Sequence, residues 1–79
     1  VDVSQHCNII PNPASDFCKV ISRYKIELLE VFDMNGRKIF EEKVNAYERY
    51  MDLSAYPPGT YIFKIKTNAG VANKKLIVK

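Results

Sequence analysis

The sequence has little that favours a helix, a membrane span or a nucleic-acid surface. No window of about 11 residues carries an uninterrupted helical pattern of apolar positions. Apolar runs are too short for a membrane span or a signal peptide. No Lys/Arg run exceeds two residues and the formal net charge is only +3, which argues against nucleic-acid partners. These absences leave a small folded module.

Length limits that module to one domain. The chain has 79 residues, of which 47% are hydrophobic and 27% charged, an ordinary composition for a folded protein. A domain of this size buries only about 60% of its unfolded surface, so modest stability is expected. We expect a flexible lead over residues 1–6 and one domain over residues 7–79.

Catalytic chemistry has few candidates. His6 is the only histidine, and its neighbour Cys7 would point to the opposite face of a strand. A metal site built from His6, Cys7 and Cys18 lacks the paired spacing of structural zinc sites. The carboxylates on alternating runs are expected to face water: Glu27, Glu30, Glu41, Glu42 and Asp52. We therefore expect no enzyme, no metal and no cofactor.

What recurs is a short apolar or alternating run followed by a turn signal. Seven such runs cover residues 7–10, 17–22, 24–32, 38–44, 50–53, 61–66 and 71–78. This spacing predicts an all-β fold, a seven-stranded antiparallel immunoglobulin-like β-sandwich. The alternation slips at Leu28 and Leu29, which predicts either a β-bulge or burial on both faces.

The turns between these runs carry specific signals. Pro11 and Pro13 flank Asn12 and stop the first run, since prolines cannot donate to a ladder. Asn35 and Gly36 predict a tight hairpin.

A tyrosine corner is predicted near the penultimate strand. Tyr61 would turn its hydroxyl back onto the preceding connection, and Gly59 would supply an uncommon φ.

The two cysteines leave two interpretations open. Cys7 and Cys18 share the parity of core residues, so they are either small buried hydrophobes or a disulfide between the first two strands. In the chain-entropy model such a short loop would contribute about 3 kcal/mol.

The last strand also has two interpretations. Lys74, Lys75 and Lys79 surround an apolar run, Leu76-Ile77-Val78. The lysines either protect an edge strand from pairing or are read by a receptor, by strand addition among other modes. An open terminal edge would also favour a homodimer.

Four motifs in this order resemble one family, the C-terminal sorting domain of type IX secretion cargo proteins in Bacteroidetes. The matching segments are residues 9–14 (IIPNPA), 31–37 (VFDMNGR), 53–61 (LSAYPPGTY) and 74–79 (KKLIVK). Two residues depart from the family pattern, Cys18 and Tyr56.

The resemblance implies a non-enzymatic secretion signal at the end of a larger cargo protein. Such a domain passes through the periplasm and directs its cargo across the outer membrane through the type IX translocon. A surface sortase-like peptidase then removes it, and the cargo stays at the cell surface. The chain begins without Met, as expected for an excised terminal piece.

On this resemblance the secretion machinery would recognise the terminal strand, residues 74–79: Lys74, Lys75, Leu76, Ile77, Val78 and Lys79. The family motif would act through the fold, at Pro11, Asn12, Pro13, Asn35, Gly36, Gly59 and Tyr61.

A rival function is an adhesion or carbohydrate-accessory module. Tyr24, Tyr47 and Tyr50 motivate it, since sugar-binding faces use aromatic platforms. The alternative is that these rings pack across strands.

Overall fold

Alternating apolar and polar residues form five antiparallel strands in the computed structural model, which describes all 79 residues. The strands are β1 (Cys7–Ile10), β2 (Phe17–Phe32), β3 (Lys38–Asp52), β4 (Gly59–Thr67) and β5 (Gly70–Val78). A single 3₁₀ turn, Ser4–His6, precedes them. The prediction of an all-β antiparallel fold is confirmed, but the structure has five strands where the sequence predicted seven.

Two long strands explain the difference in number. Predicted runs 17–22 and 24–32 are one strand, β2, and runs 38–44 and 50–53 lie along or beside β3. The chain bends between these runs without ending the strand. The register between β2 and β3 shifts after Ile21, and Asn45 at the bend has a φ of 51°.

The bend brings the two halves of β3 together. Arg49 Nε lies 2.5 Å from Glu42 Oε1, although the residues are seven positions apart. A straight strand would separate their Cα atoms by about 23 Å. The polar residues between the predicted runs therefore mark bends within two continuous strands, β2 and β3, and not the ends of strands.

The predicted slip near Leu28 is a bulge. The register of β2 shifts between Ile26 and Leu28 against both β3 and β4. Beyond the shift, Leu29 and Val31 are fully buried and Leu28 is only half-buried. The bulge returns the apolar side chains to the core side, as the sequence predicted.

Strand β2 organises the sheet. One of its edges pairs with β3, while the other pairs with β1 and then with β4. Strand β5 pairs with β4, and β3 has no second partner strand. The largest fully buried side chains form one core inside the curled sheet: Phe63, Ile26, Leu29, Leu53, Ile65 and Leu76.

One acidic side chain on the outer face of β2 is buried among lysines. Glu30 is 7% exposed; its Oε2 accepts a hydrogen bond from Lys38 Nζ at 3.0 Å, and Lys66 Nζ lies 3.6 Å from Oε1. The hydrogen bond from Lys38 holds the pKa of Glu30 below its ordinary value, against the opposing effect of burial. The ionised carboxylate therefore stabilises the folded state.

We predict that Glu30→Gln makes the free energy of unfolding depend less on pH in the acid range. Because the folded pKa is lowered, the stabilisation is present above the unfolded value near 4.5 and is lost as pH falls through the folded value. Urea unfolding at neutral and acid pH should show the variant less stable at neutral pH, with the difference shrinking in acid. Glu27→Gln, an exposed control, should show the smaller effect. A Glu30→Gln difference that is constant with pH would contradict the assignment.

Candidate recognition surface at the C-terminal strand

Strand β5 presents two different faces. Ala72, Leu76 and Val78 point into the core and are at most 3% exposed. Lys75 and Ile77 alternate with them and lie on the outer face. The two apolar anchors near the terminus therefore hold the strand, while the residues between them are available to a partner.

The three lysines of the predicted recognition segment do not form one surface. Lys74 shares the parity of the core residues and is half-buried at a seam with Gln5, His6 and Cys7. Lys75 and Lys79 are exposed. Grouping the lysines by charge missed this division, although the parity of Leu76 and Val78 predicts it.

The chain's first residues cover the beginning of the outer edge of β5. Val71 N donates to Val1 O at 2.8 Å, and Val3 N donates to Val71 O at 3.0 Å. Val3 is 4% exposed and belongs to the core. The Val1 backbone lies so close to Gly70 that a Cβ on Gly70 would be 2.3 Å from Val1 O.

The proline-flanked segment covers the end of the same edge. Asn12 Nδ2 donates to Lys75 O at 2.8 Å, and Ile77 N donates to Asn12 Oδ1 at 3.1 Å. Ala14 N donates to Ile77 O and Lys79 N donates to Ala14 O, both at 2.8 Å. The Asn12 amide thus supplies the donor and the acceptor that a neighbouring strand would supply.

The expectation of an open terminal edge is therefore wrong. Backbone groups at Val71, Ile77 and Lys79 are already hydrogen-bonded along the outer edge. Sequence reasoning assigned Asn12 to the fold but missed its partner. A signal was present, because the flanking prolines have no N–H to donate and Asn12 carries the only polar side chain of the segment 11–13.

The tyrosine corner is confirmed. Tyr61 is 6% exposed, and its hydroxyl donates to Pro57 O at 2.5 Å. Its ring meets Tyr56 edge-on with 5.4 Å between centroids. Gly59 has a φ of 155° at the start of β4. This corner positions β4, to which β5 is paired.

The hairpin at Asn35 is confirmed as well. Gly36 has a φ of 81°, and Gly36 N donates to Asp33 O at 3.0 Å. Asp33 Oδ1 accepts hydrogen bonds from Asn35 N and Arg37 N. These bonds lower the pKa of Asp33, the backbone bond from Arg37 contributing most.

Both cysteines are free and buried. Cys7 lies opposite Ser22 on β2, whereas Cys18 is four residues earlier on that strand, a separation of about 13 Å. That exceeds the reach of a disulfide, so the thiols are not bonded here, in contrast to the disulfide that the spacing allowed. Burial raises the pKa of Cys18 to about 11.

The three tyrosines of the rival hypothesis do not share a platform. Tyr24 is half-buried and meets the His6 ring edge-on at 5.5 Å. Tyr50 stacks on Phe17 with 5.1 Å between ring centroids, and Tyr47 has no aromatic partner; both tyrosines are more than half exposed. This arrangement favours packing across strands over a sugar-binding face.

The structure contains no group of three or more His, Cys, Asp or Glu side chains placed to hold a metal ion. None of its helical segments has the length and apolar character needed to cross a bilayer.

A family model described as the secretion system C-terminal sorting domain matches residues 8–79. The match begins in β1 and includes the Asn12 segment, the tyrosine corner and β5. The chain belongs to this family. No curated protein matches it.

The sorting domain is a C-terminal signal for type IX secretion cargo, and its family is one of secretion signals rather than enzymes. It is joined to an N-terminal cargo region, is recognised by the secretion system, and accompanies cargo that is exported across the outer membrane. The resemblance stated from the four motifs is confirmed.

We predict that Asn12→Ala destabilises the sorting domain by about 1–2 kcal/mol, because both Lys75 O and Ile77 N lose a partner. Urea unfolding measures the change. Asn73→Ala, an exposed substitution on β5, should change stability little. Equal stabilities for Asn12→Ala and the unmodified chain would show that the amide bridge is unimportant.

Proposed function

We propose that the type IX machinery recognises the folded C-terminal strand, residues 74–79, through its side chains and not by adding a strand to its backbone. The observation that carries this proposal is the occupied outer edge of β5. A partner strand would have to displace the Asn12 amide and Ala14, which already bond to Lys75, Ile77 and Lys79.

The residues offered to the machinery are then Lys75, Ile77 and Lys79. Ile77 is 39% exposed and lies between these two cations in the sequence. Leu76 and Val78 act by anchoring the strand in the core. An apolar contact flanked by two positive charges gives the segment specificity that charge alone would lack.

The family motif supports recognition through the fold. Pro11, Asn12 and Pro13 hold the edge of β5, and Gly59 and Tyr61 hold the corner that leads into β4. The hairpin at Asn35 and Gly36 connects β2 to β3. None of these residues has to touch the machinery to be required for export.

The wider pathway follows from the family assignment. We infer that the cargo is joined upstream of residues 1–6, which pack against β5 in place of the flexible lead expected from the sequence. The cargo would cross the periplasm before reaching the outer-membrane translocon. A sortase-like peptidase would remove the domain at the surface and leave the cargo there or outside the cell. The homodimer expected from an edge strand would use the edge of β3, because the edge of β5 is occupied. The exposed charges along β3 would keep such a dimer weak.

We also propose that the immunoglobulin-like arrangement predicted from seven runs is realised through the bends. Each half of β2 and of β3 would then take the place of one strand of a sandwich. The contact between Arg49 and Glu42 across the bend supports this equivalence.

An export assay tests the recognition proposal. We predict that a periplasmic reporter fused to the Lys75→Glu/Lys79→Glu domain stays in the periplasm of a type IX-competent bacterium. The matched control is Arg23→Glu/Lys25→Glu, which reverses two exposed charges on β2 and should be exported.

Both variants should melt at the temperature of the unmodified domain, since the altered side chains are exposed. If the Lys75/Lys79 variant is folded and exported normally, the machinery reads another surface.

A further inference from the structure

The positive charge of the domain is concentrated on one face. Lysines project from the outer side of the sheet formed by β3, β2, β4 and β5, a set we call the basic face: Lys38, Lys43, Lys64, Lys66 and Lys75. Glu30 and Glu41 are the acidic side chains among them. The excess of three positive charges equals the formal net charge of the whole chain, so the rest of the molecule is neutral in sum.

The strand register places these lysines side by side. Leu28 lies opposite Lys43 on β3 and opposite Lys66 on β4. Glu30 lies opposite Lys64, and Ile62 lies opposite Lys75. With strands about 4.8 Å apart, the face is roughly 15 Å wide.

The acidic residues do not cancel the exposed charge of this face. Glu30 is 7% exposed beneath Lys38 and Lys66, and Glu41 pairs with Lys38. Lys43, Lys64 and Lys75 take part in none of the ion pairs of the structure. Three cations therefore remain for an external anion.

We propose that the basic face binds the phosphate-bearing headgroups of an anionic membrane surface. Its cations are all lysines, which act as mobile point charges and lack the planar fork with which arginine selects a carboxylate of fixed geometry. Such charges suit a laterally mobile layer of phosphates. Ile77, exposed on the same face, adds an apolar contact at the headgroup boundary.

This binding goes beyond recognition by the secretion machinery. It would hold the domain at the membrane that its cargo must cross, and so raise the local concentration of the signal near the translocon. It needs no secretion protein, so it can be measured without one.

The test is sedimentation of the 79-residue domain with lipid vesicles. We expect binding to vesicles that contain phosphatidylglycerol, none to pure phosphatidylcholine, and weakening as salt is added. Lys43→Gln/Lys64→Gln should weaken binding about thirtyfold, because each lysine near an anionic surface contributes about a fivefold factor. These substitutions leave Lys38 and Lys66 paired with Glu30, and they spare Lys75 and Lys79, which the export assay uses.

The matched control is Arg23→Gln/Lys25→Gln, which removes the same charge from exposed positions outside the basic face and should reduce binding much less. Equal losses in the two variants would overturn the proposal, because only net charge would then matter. So would the absence of binding to phosphatidylglycerol vesicles. Binding to soluble polyglutamate without binding to vesicles would assign the face to an acidic protein instead.

Discussion

The side-chain amide of Asn12 completes the hydrogen bonding at the end of β5, and the terminal strand depends on that contact. The amide accepts from Ile77 N and donates to Lys75 O, from 63 to 65 positions away in the sequence. Ala14 continues the pairing to Lys79. Leu76 and Val78 on this strand also fill the core. The contacts that hold the edge of β5 therefore also keep the core closed.

Closing β5 leaves β3 as the long strand with an unpartnered edge. Lys38, Glu41 and Lys43 are exposed along it, and charged side chains on an edge discourage pairing with other chains. The sequence suggested that the terminal lysines protect an edge strand from pairing. In the structure that role fits the charged side chains of β3 better, because β3 has the unpartnered edge. The terminal lysines are left for recognition or for an anionic surface.

Local chemistry explains which features could be predicted from the sequence. The Asn35-Gly36 hairpin and the Tyr61 corner depend on residues within a few positions of each other, and both were predicted correctly. The strand number was not, because the polar residues at a bend resemble those at a turn. The partner of Asn12 and the seam around Lys74 depend on contacts between distant segments, which no local pattern specifies.

Amide hydrogen exchange on the unmodified domain measures whether the outer edge of β5 is closed. Protection of an amide reports how rarely its hydrogen bond opens. We predict slow exchange at Val71, Ile77 and Lys79, whose amides donate along the outer edge of β5, and faster exchange at amides on the unpartnered edge of β3. Exchange at Ile77 and Lys79 as fast as along the open edge of β3 would contradict this prediction, since the terminal strand would then be open to strand addition.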